Sequence, residues 1–211
     1  MSKLSKNKGV MLVLSSPSGA GKSSICKALL NLDENLFLSI SSTTRQKRPN
    51  EISGKDYNFV TVEEFKKQLK KNNFIEHAKV FDNFYGTDKL LVESKINEGK
   101  DLLFDIDWQG AQQLREKMRE DIVSVFILPP SKSELERRLK NRGQDDDEVV
   151  KKRMDGASSE ITHWAEYDYV IINKNLEESV NTVLGILKAE RMKRIRQIGL
   201  GEFIRSINLD N

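Results

Sequence analysis

The stretch SSPSGAGKSS, residues 15–24, follows a short apolar run at 10–14 and leads into a helix-forming segment, ICKALL, at 25–30. This order of strand, small-residue loop, Lys-Ser and helix is the context in which a phosphate-binding loop occurs. Gly19, Ala20 and Gly21 let backbone N–H groups surround phosphate oxygens, and the N-terminus of the helix adds a favourable dipole. The stretch therefore predicts a loop that binds the phosphates of a nucleoside triphosphate.

Individual roles follow from the positions in this loop. The side chain of Lys22 can reach the β- and γ-phosphates, and the hydroxyl of Ser23 can ligate Mg²⁺. The pattern departs from the usual one because Ser16 stands where the first glycine is expected, so the turn must suit a non-glycine residue. A plain Gly/Ser turn with a solvated lysine is the alternative, which the flanking strand and helix disfavour. We expect ATP contacts from all nine loop residues: Ser16, Pro17, Ser18, Gly19, Ala20, Gly21, Lys22, Ser23 and Ser24.

Two carboxylates end a second apolar run, DLLFDID at 101–107. Because side chains alternate along a strand, Asp105 and Asp107 are expected on the same side. A protein with a phosphate loop needs an acid at the end of a neighbouring strand to hold Mg²⁺ through water. We therefore assign metal binding to Asp105 together with Ser23. The alternative is that both acids merely end a strand.

Composition limits the class of protein. The 211 residues carry 35 basic and 32 acidic side chains, a net charge of +3, which argues against a nucleic-acid binder with one dominant basic face. The single cysteine, Cys26, excludes an internal disulfide and favours a reducing compartment. The run at 10–14 is too short for a signal peptide, and no run approaches the roughly 20 residues of a membrane span. We expect a cytoplasmic protein with small-molecule partners and no membrane or nucleic-acid partner.

Short apolar runs at 10–14, 37–41, 102–106, 122–128 and 169–172 alternate with helical patterns. This alternation is typical of an α/β fold with a parallel sheet, here five strands. Ser131-Lys-Ser-Glu134 resembles a capping box that opens a helix, and Asn175 carries a similar cap signature. Residues 41–87, around a helix at 61–71, are predicted to be an inserted subdomain, and the arginine-rich stretch 137–153 a mobile flap.

A phosphate loop alone indicates only that a nucleoside triphosphate binds, as in GTPases, ATPases, helicases and small-molecule kinases. Over residues 9–190 the chain is similar to guanylate kinases, through SSPSGAGKSS, SISSTTRQKRPNEISGKDYNFV, FIEHAKVFDNFYGT, LLFDIDWQGA and RLKNRG. The resemblance implies a single domain with a P-loop core at about 1–40, 88–130 and 156–211. It also implies a GMP-binding subdomain at about 41–87, a lid at about 131–155, and the reaction ATP + GMP giving ADP + GDP.

The resemblance also implies roles for individual residues. The phosphate of GMP is expected at two arginines and two tyrosines: Arg45, Arg48, Tyr57 and Tyr85. The guanine base is expected beside two hydroxyls and two acids: Ser41, Thr87, Glu76 and Asp107. Catalysis is expected to use the loop lysine and three lid arginines: Lys22, Arg138, Arg142 and Arg153. Residues 173–175, NKN, depart from the acidic pair of many relatives, so we assign no adenine contact there.

Chemistry independently supports guanine as the base. Guanine offers N1–H and N2–H₂ as adjacent donors, and an ionised Glu76 can accept both. Adenine has no such pair of donors. Two alternatives stay open: a scaffold domain that binds phosphorylated peptides, and a kinase for AMP or UMP. GMP is the expected acceptor, with dGMP as a second one.

Overall fold

The computed structural model describes residues 7–49, 51–80, 82–141 and 147–207. Along the chain, the strands are β1 Met11–Ser15, β2 Leu36–Leu38, β3 Ser42–Thr43, β4 Asn58–Phe59, β5 Phe74–Val80, β6 Asn83–Asp88, β7 Asp101–Asp105, β8 Ile122–Leu128 and β9 Tyr169–Ile172. The helices are α1 Lys22–Leu32, α2 Val62–Lys70, α3 Lys89–Asn97, α4 Trp108–Met118, α5 Lys132–Lys140, α6 Asp147–Ile161, α7 Leu176–Arg191 and α8 Leu200–Ser206. Short 3₁₀ turns lie at Thr162–Glu166 and Arg194–Arg196.

The main sheet has five strands in the order β2-β7-β1-β8-β9, and every neighbouring pair is parallel. Because β1 lies in the middle, the loop after it opens at the centre of the carboxyl edge of the sheet. In the register of β1 and β7, Leu14 lies beside Asp105, so the acid is next to the start of that loop. The predicted five-stranded parallel sheet is confirmed.

Alternate residues of β1 pack into separate cores on the two faces of the sheet. Leu12 and Leu14 face a core that includes Ile25 of α1 and Val183 of α7. Met11 and Val13 face a second core, completed by residues of α3 and α4: Val92, Ile96, Ala111 and Leu114. Burial on both faces explains why β1 is a continuous apolar run without alternation.

A second, four-stranded sheet in the order β4-β3-β6-β5, together with α2, lies in the segment expected to be an inserted subdomain. The β5–β6 hairpin is antiparallel, and Phe65 of α2 stacks on Phe74 and Phe84 of that hairpin. A complete capping box opens α2, because Thr61 accepts from the Glu64 amide and the Glu64 side chain accepts from the Thr61 amide. The helix predicted at 61–71 is confirmed.

Helices α5 and α6 pack against each other through a small apolar cluster: Leu135, Leu139, Val150, Met154 and Ala157. Only half of the capping box expected at Ser131 forms. The Ser131 hydroxyl accepts from the Glu134 amide, whereas the Glu134 carboxylate pairs with Arg137 and Arg138. Helix α6 continues through Ile161, beyond the expected end of the lid at 155.

Some predicted boundaries differ from the structure. Strands β1 and β7 are each displaced by one residue from the apolar runs, whereas β8 and β9 match theirs. The strand predicted at 37–41 is wrong in its second half, because β2 ends at Leu38. The Ser39 amide makes one further bond to the Leu103 carbonyl, and the chain then crosses to the second sheet, where Ser42 pairs with Gly86. Asn175 caps α7 through the Glu178 amide, as predicted.

Candidate active site

The predicted phosphate loop connects β1 to α1 with a left-handed backbone at two positions. Gly19 has φ 92° and Gly21, the residue before α1, has φ 101°. These angles favour glycine because other residues meet a steric penalty there. Ser16 has no positive φ, and its hydroxyl donates to the Pro17 carbonyl at 2.9 Å. The departure from the usual first glycine is therefore compatible with the turn.

Lys22 is held at the mouth of this loop. Its Nζ lies 2.8 Å from Asp105 Oδ1 and donates to the Ile106 carbonyl at 2.8 Å. Burial opposes the charge, but the neighbouring Asp105 outweighs it and raises the pKa of the Lys22 ammonium. The lysine is accordingly charged throughout the physiological pH range, before any phosphate is bound.

Three side chains from other elements hold the backbone of the loop. The Ala20 carbonyl accepts from Asn173 Nδ2 at 2.8 Å and from Arg138 Nη1 at 3.2 Å. The Arg138 Nη2 also donates to the Asn173 carbonyl at 3.1 Å. On the other side, the Ser18 amide donates to Glu160 Oε2 of α6 at 3.1 Å. Arg138, expected over the phosphates, thus contacts the backbone of the phosphate loop.

A cleft of about 250 Å³ lies between the loop and the second sheet. Thirteen of the predicted site residues line it: Ser16, Pro17, Ser18, Gly19, Gly21, Lys22, Ser23, Ser41, Tyr57, Glu76, Tyr85, Asp105 and Asp107. Four further lining residues were not predicted: Ala78, Val80, Ile106 and Glu160. Most residues assigned to ATP and to GMP therefore share one cavity. The assigned residues that do not line it are Ala20, Ser24, Arg45, Arg48 and Thr87.

A chain of hydrogen bonds fixes the carboxylate of Glu76, whose side chain is almost fully buried. The Thr87 hydroxyl donates to Glu76 Oε1, so its single proton is used and Ser41 Oγ, 3.0 Å away, donates to Thr87. Burial raises the pKa of Glu76 to about 7, the Thr87 bond opposes this, and the charge of Asp107 adds to it. Thr87 is fully buried behind the carboxylate that it orients.

Asp107 lies beyond the end of β7 and caps α4. Its Oδ1 accepts from the Gly110 amide at 3.1 Å and its Oδ2 from Gln109 Nε2 at 2.8 Å. The sequence predicted that Asp105 and Asp107 share a side, and both do line the cleft. The capping role was not predicted. Aspartate is, however, one of the residues preferred immediately before a helix, where its side chain accepts from a backbone N–H of the first turn.

The residues expected around the GMP phosphate lie near one another. Arg45 forms a forked ion pair with Glu51, with Nη2–Oε1 at 2.6 Å and Nη1–Oε2 at 3.1 Å. Its guanidinium carbon lies 5.4 Å from the centre of the Tyr57 ring, and Tyr57 meets Tyr85 edge to face at 5.9 Å. The more exposed Arg48 places Nη1 at 4.0 Å from Glu51 Oε1. Glu51 was not predicted.

The two remaining lid arginines are not both described. Arg153 lies on α6, seven residues before Glu160, a spacing that puts the two on one side of the helix. Arg142 lies outside the described residues. The spacing from Arg153 was the one local signal that could have indicated Glu160.

Among the helices of the described residues, none is long and apolar enough to cross a bilayer.

A five-stranded parallel sheet with a phosphate loop at the end of its central strand defines a P-loop nucleotide-binding protein. A family model described as guanylate kinase matches residues 8–190. The guanylate kinase of Paramagnetospirillum magneticum is 56% identical over 200 residues, which cover 95% of this chain and 94% of that one. That of Nitrobacter winogradskyi is 52% identical over 202 residues, which cover 96% and 92%. The chain belongs to the guanylate kinase family of nucleoside-monophosphate kinases.

A solved structure gives the same result for the fold. The crystal structure of guanylate kinase from Anaplasma phagocytophilum superposes with a TM-score of 0.80 at 44% sequence identity. The superposition covers 96% of this chain and 96% of that one. The P-loop fold expected from the resemblance is therefore confirmed over nearly the whole length.

Proposed function

We propose that this enzyme transfers the γ-phosphate of ATP to GMP, giving ADP and GDP, with Mg²⁺ on the triphosphate. The observation that carries the proposal is that a phosphate loop with Lys22 and a buried acid, Glu76, line the same cleft. In-line transfer needs donor and acceptor in one cavity, since catalysis of this reaction is mainly positioning and charge stabilisation.

ATP is bound through the loop and the start of α1. The amides of Lys22 and Ser23, the first two of α1, precede the hydrogen bonds that the Gly21 carbonyl accepts from the Ser24 and Ile25 amides, so they are available to phosphate oxygens. The dipole of the helix favours the negative charge. Lys22 has three N–H donors, of which two point to Asp105 and Ile106. The third can reach a phosphate oxygen without breaking either contact.

GMP is bound between the second sheet and α4. Glu76 and Asp107 accept from the guanine N1–H and N2–H₂, with Ser41 beside them. Tyr57, Tyr85 and the two arginines, Arg45 and Arg48, hold the phosphate. Glu51 supports this assignment because its forked bond fixes the plane of the Arg45 guanidinium while one edge stays turned away from Glu51.

The residues present fit Mg²⁺ held chiefly by phosphates and water. The described residues contain no group of three or more His, Cys, Asp or Glu side chains that could hold a metal alone. Mg²⁺ commonly takes only one or two protein ligands beside substrate phosphates. Ser23 would supply a hydroxyl and Asp105 would act through water, and the ion would neutralise charge on the triphosphate.

The lid arginines act on the transferring phosphate. Phosphoryl transfer spreads negative charge over equatorial oxygens, and Arg142 and Arg153 are assigned to neutralise it. We assign Arg138 a second role, because its bonds to the Ala20 and Asn173 carbonyls link α5 to the phosphate loop. A movement of α5 and α6 would then be transmitted directly to the loop.

A substrate panel tests the function. The purified chain is given ATP and Mg²⁺ with GMP, dGMP, AMP or UMP, and ADP release and the diphosphate product are measured. We expect rapid ADP formation with GMP, measurable turnover with dGMP and little with AMP or UMP. Preferred turnover of AMP or UMP would indicate another monophosphate kinase, and tight GMP binding without turnover would indicate a binding module. We place the reaction in the cytoplasm, consistent with a buried free thiol at Cys26.

A further inference from the structure

We propose that Gly110 is a specificity-determining residue, because its missing side chain leaves the space that the carboxylate of Glu76 occupies. This inference rests on the proposed reading of guanine by Glu76 and Asp107. Gly110 is the third residue of α4 and is buried. Its role is to let two acids from different elements lie beside each other at one edge of the base site.

The distances around Gly110 are the basis of the proposal. A β-carbon at this position would lie 2.6 Å from Glu76 Oε2 and 3.3 Å from Glu76 Cδ. It would also lie 3.2 Å from Ile106 Cδ1. The amide of the same residue donates to Asp107 Oδ1 at 3.1 Å. Gly110 therefore lies beside both proposed base-reading carboxylates: its backbone N–H donates to Asp107, and Glu76 occupies the space that a β-carbon would need.

The backbone itself does not require glycine here. Gly110 lies within α4 and does not have a positive φ, in contrast to Gly19 and Gly21 of the phosphate loop. In such a helical conformation alanine is intrinsically preferred to glycine. The glycine is thus explained by space beside Glu76 and not by chain geometry.

Helix α4 cannot easily move away to admit a side chain. Gln113 exchanges two hydrogen bonds with the backbone of His77, donating to its carbonyl at 2.6 Å and accepting from its amide at 3.1 Å. One turn further along, Lys117 Nζ donates to the Ile75 carbonyl. These bonds hold α4 against β5 on both sides of Glu76 in the sequence. An added methyl group would therefore displace the flexible end of Glu76, which is its carboxylate.

Displacing that carboxylate should change the selectivity for the base while the enzyme still folds. Glu76 Oε1 would leave the Thr87 hydroxyl, and neither oxygen would keep its place relative to guanine. The apolar cores of the enzyme would be little affected, since Ile106 Cδ1 is the one apolar atom among the three nearest neighbours. We expect the change to appear chiefly in base selectivity, with a smaller loss of stability from the broken Thr87–Glu76 hydrogen bond.

The test compares Gly110→Ala with Gly185→Ala. Gly185 is also a helical glycine, on α7, but a β-carbon there would meet nothing within 4 Å. Gly185→Ala should unfold at or above the wild-type temperature, whereas Gly110→Ala should stay folded but unfold at a somewhat lower temperature, because the Thr87–Glu76 hydrogen bond is lost. The ratio of kcat/KM for GMP to that for AMP should fall at least about tenfold in Gly110→Ala and stay unchanged in Gly185→Ala. The KM for ATP should be unchanged in both.

A double-mutant cycle links the effect to the acid. In a Glu76→Gln background the added methyl group should lower the GMP-to-AMP ratio much less than in the wild type, because the carboxylate is already absent. If Glu76→Gln lowers the ratio but Gly110→Ala does not, the inference about Gly110 is wrong and the proposed role of Glu76 stands. If Glu76→Gln itself leaves the ratio intact, the proposed base-reading role fails. A Gly110→Ala chain that does not fold also overturns the inference, because the added methyl group would then have disrupted the fold and not merely displaced the Glu76 carboxylate.

Discussion

The Lys22 ammonium and the Asp105 carboxylate form an ion pair of 2.8 Å that joins the phosphate loop to the end of β7. Burial disfavours the charge of the lysine, but Asp105 outweighs that effect, so Lys22 is charged and fixed in place before ATP arrives. Such preorganised charge is the main means by which phosphoryl transfer is accelerated.

Lys22→Met should abolish phosphoryl transfer while GMP binding survives. The methionine keeps the length of the side chain but brings no donor to the phosphates, so we expect kcat to fall by at least about a hundredfold. The Kd of GMP, measured by titration calorimetry, should change little because the proposed base site lies across the cleft. Lys27→Met, at an exposed position of α1, serves as the control and should retain wild-type turnover. Near-normal turnover of Lys22→Met would mean that the loop has another function.

Glu160 should act on the loop as a hydrogen-bond acceptor, not as a charge. Its carboxylate accepts from the Ser18 amide, and the amide oxygen of glutamine can do the same. We expect Glu160→Gln to keep a nearly normal KM for ATP. Glu160→Ala leaves the amide unpaired, at a cost of about 1–3 kcal/mol, and should raise that KM at least several-fold. An equal rise of the KM for ATP in both variants would show that the charge of Glu160 matters.

The affinity for GMP should rise with pH across neutrality. Burial raises the pKa of Glu76 to about 7 in the free enzyme, so roughly a tenth of it is ionised at pH 6 and roughly nine tenths at pH 8. Guanine donors favour the ionised form, so binding lowers this pKa and releases a proton. We expect the ionisation of Glu76 to contribute about a tenfold gain in affinity from pH 6 to pH 8, measured calorimetrically in two buffers.

The phosphate of GMP also titrates, with a pKa near 6, and needs a control. The Glu76→Gln variant supplies it, since its remaining pH dependence comes from the phosphate and not from residue 76. The difference between the two enzymes isolates the acid. Identical pH profiles would show that Glu76 does not ionise on binding.

The proposed role of the lid predicts that Arg142→Ala lowers kcat more than it weakens the binding of either nucleotide. Its charge is needed mainly when the lid closes on the transferring phosphate, so the loss falls on the transition state. Steady-state kinetics with both substrates, together with Kd values from calorimetry, separates the two effects. Raised KM values with unchanged kcat would count against this role.

The sequence predicted the five-stranded sheet because each strand coincides largely with an apolar run. The central strands β7, β1 and β8 are buried on both faces, whereas the edge strand β9 is largely exposed. Ile122–Leu128 and Tyr169–Ile172 begin and end where those runs do. The run at 37–41 failed because its later residues leave the sheet, and Ser42 pairs with Gly86, far along the chain. The local pattern of apolar residues does not reveal a strand partner that lies so far away in the sequence.

The site was predictable to the extent that its chemistry depends on local spacing. Gly19, Lys22 and Ser23 follow from one motif, and all three line the cleft. Glu160 was missed because its partner, Ser18, is 142 residues away, and the spacing of Glu160 from Arg153 does not by itself reveal that contact. The role of Gly110 was missed because it depends on where Glu76 lies in the folded protein. The roles of the site residues in binding and catalysis stay predictions.

The choice of base by Glu76 is tested most directly by the ratio of kcat/KM for GMP to that for AMP in Glu76→Gln and in the wild type. Glutamine keeps the size but turns one acceptor oxygen into a donor that faces a guanine donor. An unpaired buried group costs about 1–3 kcal/mol, so we expect the ratio to fall by about one to two orders of magnitude. Glu63→Gln, at an exposed position of α2, is the control and should leave the ratio unchanged. An unchanged ratio in a folded Glu76→Gln enzyme would contradict the account.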